Sequence, residues 1–245
     1  MPPSLENPFT PKSAIPTKRL FGSDNQSEKA KFGQSLRKKI ETTKTKYGDF
    51  EILADQVKFL NKVEKLMITG RKTAINKEIS EADAKKEIIK NILEVDKDGN
   101  IIKIKLFNFF MLELPKEIAN LKKLEYLNIW GDFIYELPKE IGELKNLKLL
   151  AVEDCELAVL PEEITKLKNL QKLKLHNNEI QELPPDIDKL ENLETIDLSL
   201  NSINDLPDNL SKLKNLKEIH LKENPLSSQK IQEFRKKFPN IKFIN

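Results

Sequence analysis

From Ile101 onward, apolar side chains recur on a period of 23 residues. Copies begin at Ile101, Leu124, Leu147, Leu170, Leu193 and Leu216, and a shortened one begins at Phe238. Counting within each copy, position 4 holds Ile104, Leu127, Leu150, Leu173, Ile196, Ile219 and Ile241. Position 6 holds Leu106, Ile129, Val152, Leu175, Leu198, Leu221 and Phe243. Polar residues alternate with these two positions, as in a strand with one buried face. Positions 11, 14, 18 and 21 are also apolar in most copies. A fixed period of this length predicts a solenoid in which each unit touches only its neighbours.

Each copy then carries a proline: Pro115, Pro138, Pro161, Pro184 and Pro207. Two residues later stand Glu117, Glu140, Glu163, Asp186 and Asn209. Proline fits the first position of a helical turn, and an acid suits the exposed N–H groups there. Short helical turns are therefore expected on the side away from the strands. One copy buries too little apolar surface to offset the ordering of its backbone, so folding requires stacking. Position 9 holds Asn178, Asn201 and Asn224 in later copies, where a buried amide can bond backbone groups of adjacent turns. Earlier copies have Phe109, Asp132 and Cys155 there.

The pattern L-x-x-L-x-L-x-x-N-x-I, followed by LPxEIxxLxxL, resembles the leucine-rich repeat over residues 101–245. The second half resembles the 23-residue bacterial class, which includes sets carried by pathogenic spirochaetes. The resemblance implies an α/β solenoid, a horseshoe with a parallel sheet on its concave face, generally used to bind proteins. It also implies a virulence-associated, host–pathogen setting as one destination. Cysteine is a tolerated variant at position 9 in this family, which gives the only thiol, Cys155, a structural role. The bacterial ubiquitin ligases with such repeats need a separate catalytic domain with a nucleophilic Cys, and no such segment follows the repeats in this sequence.

The N-terminal part has a different texture. Residues 1–26 are rich in Pro, Ser and Asn and are expected to be a disordered arm. Residues 27–100 are expected to form a helical cap. Phe32, Leu36 and Ile40 make one stripe beside a basic run, and Ile52, Leu53, Val57 and Leu60 predict a second helix near 50–60. Val63, Leu66 and Ile68 match positions 1, 4 and 6, so residues 63–68 read as a degenerate repeat strand. Ser80 and Asp83 form a capping-box-like start for a helix through Ala84, Ile88 and Ile92. A cap is required here, because an uncovered strand from Ile101 would expose a sheet edge. After the repeats at 101–224, residues 225–245 predict a closing helix through Ile231 and Phe234, then a last strand.

Composition narrows the function. A net charge of +3 with 33% charged residues gives no global pull toward nucleic acid. No apolar run is long enough for a transmembrane helix. The N-terminus lacks the apolar core of a signal peptide, so a cytoplasmic site is expected, with secretion by a route without a cleavable signal as the alternative. Residues 96–100, DKDGN, lack the alternating ligands and terminal Glu of a calcium loop and read as a turn. His176 and His220 fall about 12 Å apart on the sheet and pair with nearby acids instead of forming a zinc site. No paired acid and base, cofactor motif or phosphate loop stands out, so no enzyme, cofactor or metal is expected.

Positions 3, 5 and 7 are the strand residues free of fold duty. There the early copies carry Phe107, Tyr126, Trp130 and Leu149, with Phe133 beside the exit turn. Later copies carry Lys172, Lys174, Thr195, Asp197, Ser199 and Lys222. The concave face is thus expected to be aromatic at its N-terminal end and charged at its C-terminal end. Exposed aromatic patches mark interfaces, which points to a protein partner bound by Phe107, Tyr126, Trp130, Phe133 and Leu149. The alternatives are self-association through the patch, cover by the first 60 residues, and a polyanion (glycosaminoglycan or nucleic acid) bound by the basic helix and outer lysines.

Overall fold

The computed structural model describes residues 44–47, 50–75 and 79–245. The chain divides into residues 1–41 and 42–245, and all described residues belong to the second unit. The arm expected over residues 1–26 and the helix expected through Phe32, Leu36 and Ile40 lie outside the described residues.

The unit begins with an antiparallel pair, β1 (Lys44–Tyr47) and β2 (Phe50–Leu53), that leads into helix α1 (Ala54–Ile75). Residues 63–68 are helical, not a repeat strand as their spacing predicts, and residues 50–53 are strand. The apolar series Phe59, Leu60, Val63 and Met67 is fully buried on one helix face. Helix α2 (Glu81–Ile92) starts at Ser80, whose hydroxyl accepts the Asp83 N–H at 3.1 Å, and buries Ala84 and Ile88. Strand β3 (Leu93–Val95) follows and pairs antiparallel with the first repeat strand, Leu93 opposite Ile104. Asp96 closes the hairpin by accepting the N–H groups of Asp98 and Asn100 at 2.9 and 2.8 Å, while Gly99 takes a φ of 86°.

Each copy then gives one strand: β4 (Ile101–Phe107), β5 (Tyr126–Trp130), β6 (Leu149–Glu153), β7 (Lys172–Lys174), β8 (Thr195–Asp197) and β9 (Glu218–His220). They pair in parallel at an offset of 23 residues, Lys103 with Tyr126 and Tyr126 with Leu149. The leucines and isoleucines at positions 1, 4, 6, 11, 14, 18 and 21 fill one continuous core. On the other side run 3₁₀ turns, Lys116–Asn120, Lys139–Glu143, Glu162–Lys166, Ile187–Lys189 and Asp208–Lys212. The proline precedes each turn instead of opening it, and its carbonyl accepts the first bond, as from Ile118 N to Pro115 O at 2.9 Å. Helical turns need more width than strands at ~4.8 Å spacing, so the stack curves with the sheet inside.

Two devices recur that the apolar pattern does not announce. Position 8 is left-handed in every copy: Asn108, Gly131, Asp154, Asn177, Leu200 and Glu223 have φ from 51° to 71°. Position 23 carries a second asparagine row, in which the side chains of Asn146, Asn169, Asn192 and Asn215 donate to carbonyls 24 residues earlier at 2.7–2.9 Å.

The stack closes with helix α3 (Ser228–Lys237) and strand β10 (Lys242–Ile244). Here the register differs from expectation. Phe243 pairs with Ile219 at position 4, not at position 6, because the longer helix replaces a 3₁₀ turn and shifts the offset to 24. Phe234, Phe238 and Phe243 cluster with ring centroids 5.9–6.4 Å apart and cover the last core layer.

At the other end, Gln56 is 2% exposed and accepts the Ile101 N–H at 2.7 Å. Gln56→Leu should cost about 1–3 kcal/mol in urea unfolding, because that N–H loses its partner; a loss below ~0.5 would show that the glutamine does not tie the cap to the stack. Leu200 lacks the Gly, Asn or Asp that suits a left-handed backbone, so Leu200→Asn should raise stability by about 1 kcal/mol. A lowered melting temperature would refute strain at that site.

Candidate functional site

Parallel pairing at a constant offset sets side chains of equal position in straight rows across the inner face. The row at position 3 runs Lys103, Tyr126, Leu149, Lys172, Thr195, Glu218. The row at position 5 runs Lys105, Asn128, Ala151, Lys174, Asp197, His220. At position 7, Phe107 lies beside Trp130 and Trp130 beside Glu153.

Phe107, Tyr126 and Trp130 stand together on β4 and β5, 37%, 40% and 42% exposed. Leu149 adjoins Tyr126 in the same row but is half-buried. Phe133 lies past the strand, where it packs on Phe110 with centroids 6.1 Å apart. It therefore borders the patch at the turn side instead of lying within the sheet. The expected gradient from aromatic to charged needs correction, since Lys103 and Lys105 place charge at the N-terminal strand as well. Lys103 pairs with Glu94 at 2.6 Å and lies 5.9 Å from the Tyr126 ring centroid. Asn128, between Lys105 and Ala151, has a buried side-chain oxygen without a partner.

Behind the face runs the position 9 ladder. Asn178 accepts the N–H groups of Cys155 and Leu157 at 3.1 and 3.0 Å and donates to the carbonyls of Val152, Leu175 and His176 at 2.7–3.2 Å. Asn201 donates to the equivalent carbonyls of Leu175, Leu198 and Ser199. Cys155 reproduces part of this, its thiol donating to the carbonyls of Glu153 at 3.0 Å and Ile129 at 3.8 Å. Burial pushes that thiol up to about 12, which keeps it protonated as a donor.

Asp132 occupies the same place two residues after Trp130. It is 1% exposed, and one oxygen accepts the Met111 N–H at 2.9 Å. Its other oxygen is buried without a partner. By the register of the ladder, that oxygen stands where asparagine presents its NH₂, toward the carbonyls of Leu106, Ile129 and Trp130. Carbonyls only accept, so the site suits a carboxylic acid, which can donate, and disfavours a carboxylate. Burial pushes its pKa up to about 6, against which the neighbouring backbone N–H groups act.

Among the described residues, no group of three His, Cys, Asp or Glu side chains is placed to hold a metal ion. His220 lies 3.5 Å from Glu218 on its own strand. Burial raises the pKa of Glu153, and Lys174 opposes that shift. No described helix is long and apolar enough to cross a membrane.

The Asp132 geometry carries a pH dependence. Its folded pKa lies above the unfolded value of 3.8, so the native state binds the extra proton between about pH 4 and 6. The contribution of this group to stability is full below that window and falls as pH rises through it. Asp132→Asn should reduce the slope and raise stability above pH 6 by on the order of 2–3 kcal/mol. Thermal unfolding of both proteins from pH 3.5 to 7.5 checks this; parallel curves would refute it.

Residues 100–178 match the family described as "Leucine-rich repeat region" and residues 168–226 the one described as "Leucine rich repeat". Among solved structures, the chain is similar to a leucine-rich repeat protein of Leptospira interrogans, with 36% identity and a TM-score of 0.53. That match covers 55% of this chain and 34% of the Leptospira chain, so it spans about a third of that protein. The chain is also similar to the leucine-rich repeat ectodomain of a plant membrane receptor kinase from Arabidopsis thaliana, solved in complex with CASPARIAN STRIP INTEGRITY FACTOR 2. There the identity is 26% and the TM-score 0.46, covering 57% of this chain and 17% of that one. No curated protein is significantly similar. Repeat period, parallel sheet, asparagine ladder and both family matches agree: the chain belongs to the leucine-rich repeat family.

Proposed function

We propose that this chain binds another protein through its inner sheet face, with Trp130 and Tyr126 as anchors and Phe107 and Leu149 beside them. Leucine-rich repeats are interaction modules, and the observation that carries this particular reading is the exposure of three aromatic side chains side by side on β4 and β5. Leaving them in water is unfavourable, and they lie outside the core that holds the stack together. Rigid aromatics of this kind dominate the energetics of protein interfaces. The identity to a Leptospira protein supports a bacterial setting, and a host protein is one partner that a capture experiment could return.

The alternatives differ in their dependence on conditions. A polyanion held by lysines would dissociate as salt rises, whereas an aromatic interface would persist. Trp130 is the only tryptophan, so its emission reports on this face directly. A face open to a partner gives solvent-like emission and ready quenching by acrylamide. Cover by the chain's own N-terminal residues gives blue-shifted emission, and self-association makes the shift depend on protein concentration.

The decisive comparison is between the intact protein and a Tyr126→Ala, Trp130→Ala variant, used as baits under equal conditions. The variant should fold with nearly unchanged stability and lose about 2 kcal/mol or more of binding. A captured partner that both proteins retain equally ends the inner-face reading.

A further inference from the structure

The inner face is framed by charge in a regular way. In the row at position 3, Tyr126 and Leu149 lie between Lys103 and Lys172; in the row at position 5, Asn128 and Ala151 lie between Lys105 and Lys174. Each pair of lysines is three strands apart, about 14 Å. Lys103 is engaged by Glu94, but among the described residues Lys105, Lys172 and Lys174 form no ion pair. Beyond β7 the rows continue into Thr195, Asp197, Glu218 and His220, so the strands next to the second lysine flank carry no lysine at positions 3 and 5 until Lys242 on β10.

We propose that this frame selects an extended acidic segment of a protein partner, in which one apolar side chain lies between two carboxylates four residues apart. The proposal rests on the inner face being the binding face. An extended chain rises ~3.3 Å per residue, so 14 Å corresponds to about four residues. Side chains two apart in such a chain point the same way. The pattern acid–x–apolar–x–acid therefore puts all three contacts on one side. Its apolar residue sits on Tyr126, Trp130 and Leu149, one carboxylate meets Lys105, and the other meets Lys172 or Lys174.

Charge decides between occupants. Residues 1–41 of the chain itself hold 8 Lys and Arg against 4 Asp and Glu, which repels the flanks instead of complementing them. A polyanion would satisfy the lysines but would lay charge across Leu149 and against Glu153, and would leave the aromatic side chains unused. A peptide with charge at its ends and an apolar residue in its middle matches all parts of the frame.

The test is selection of a random twelve-residue peptide library on the immobilised full chain, followed by anisotropy titration of the synthesised consensus peptide. Enriched peptides should carry two acidic residues about four apart around an apolar one. Lys105→Glu with Lys174→Glu, checked for native circular dichroism, should weaken the peptide by about tenfold or more, and raised salt should weaken it too. Lys236→Glu on α3, away from the frame, should leave affinity unchanged. Peptides lost on Trp130→Ala but free of acidic residues, or indifferent to the lysine reversals, overturn the proposal while leaving the inner-face reading intact. Failure to enrich any peptide overturns the proposal, and heparin binding abolished by the same reversals would then assign the lysines to a polyanion.

Discussion

The stack depends on one hydrogen-bonding geometry, the side chain at position 9 that reaches across two adjacent copies. No copy can satisfy its own backbone at the point where the strand turns away from the sheet. There the left-handed residue at position 8 swings the chain inward, and the next side chain fills the gap. In Asn178 and Asn201 that side chain accepts amides of the preceding copy and donates to carbonyls of both copies. The bond joins copies whose strands pair through the backbone at a constant offset of 23 residues. The straight rows of the inner face follow from that offset.

The ladder is chemically complete only in the later copies. Phe109, Asp132 and Cys155 replace asparagine in the first three copies, of which the first two carry the aromatic face. Phe109 is buried and apolar, Cys155 donates through a weak thiol, and Asp132 needs a proton to donate at all. The surface with the most to offer a partner is therefore built on the turns with the least complete hydrogen bonding. The added contacts at that end come from α1 and β3, with Gln56 holding the Ile101 amide and Asn120 donating to the Asp55 carbonyl at 2.9 Å.

Much of this was legible in the sequence because the two periodicities are physical consequences of packing. Positions 4 and 6 had to face inward together, so positions 3, 5 and 7 had to face out, and the exposure of Tyr126 and Trp130 follows from parity alone. The N-terminal cap resisted the same logic. Val63, Leu66 and Ile68 fit a repeat strand, but the surrounding Phe59, Leu60 and Met67 extend the helical spacing in both directions, and the longer run prevails. The last strand slipped because spacing cannot reveal how much chain a closing helix consumes. Gln56 was invisible for a different reason: nothing about a glutamine 45 residues away marks it as the acceptor for Ile101. The lysine frame was hidden in plain sight, since Lys103 and Lys105 acquire meaning only when the register lines them up with Lys172 and Lys174.

That common register makes the inner face a ruler graduated in strand widths. A duplication or loss of one whole 23-residue unit between β5 and β7 would move the two lysine flanks apart or together by about 4.8 Å. The apolar pattern inside each remaining unit would be unchanged, because the copies share their core positions and their pairing register. A change of this kind in the gene would alter the spacing of the proposed frame in a single step, while each remaining unit still stacks on its neighbours. Recognition in such a chain can therefore evolve by counting units as well as by exchanging side chains.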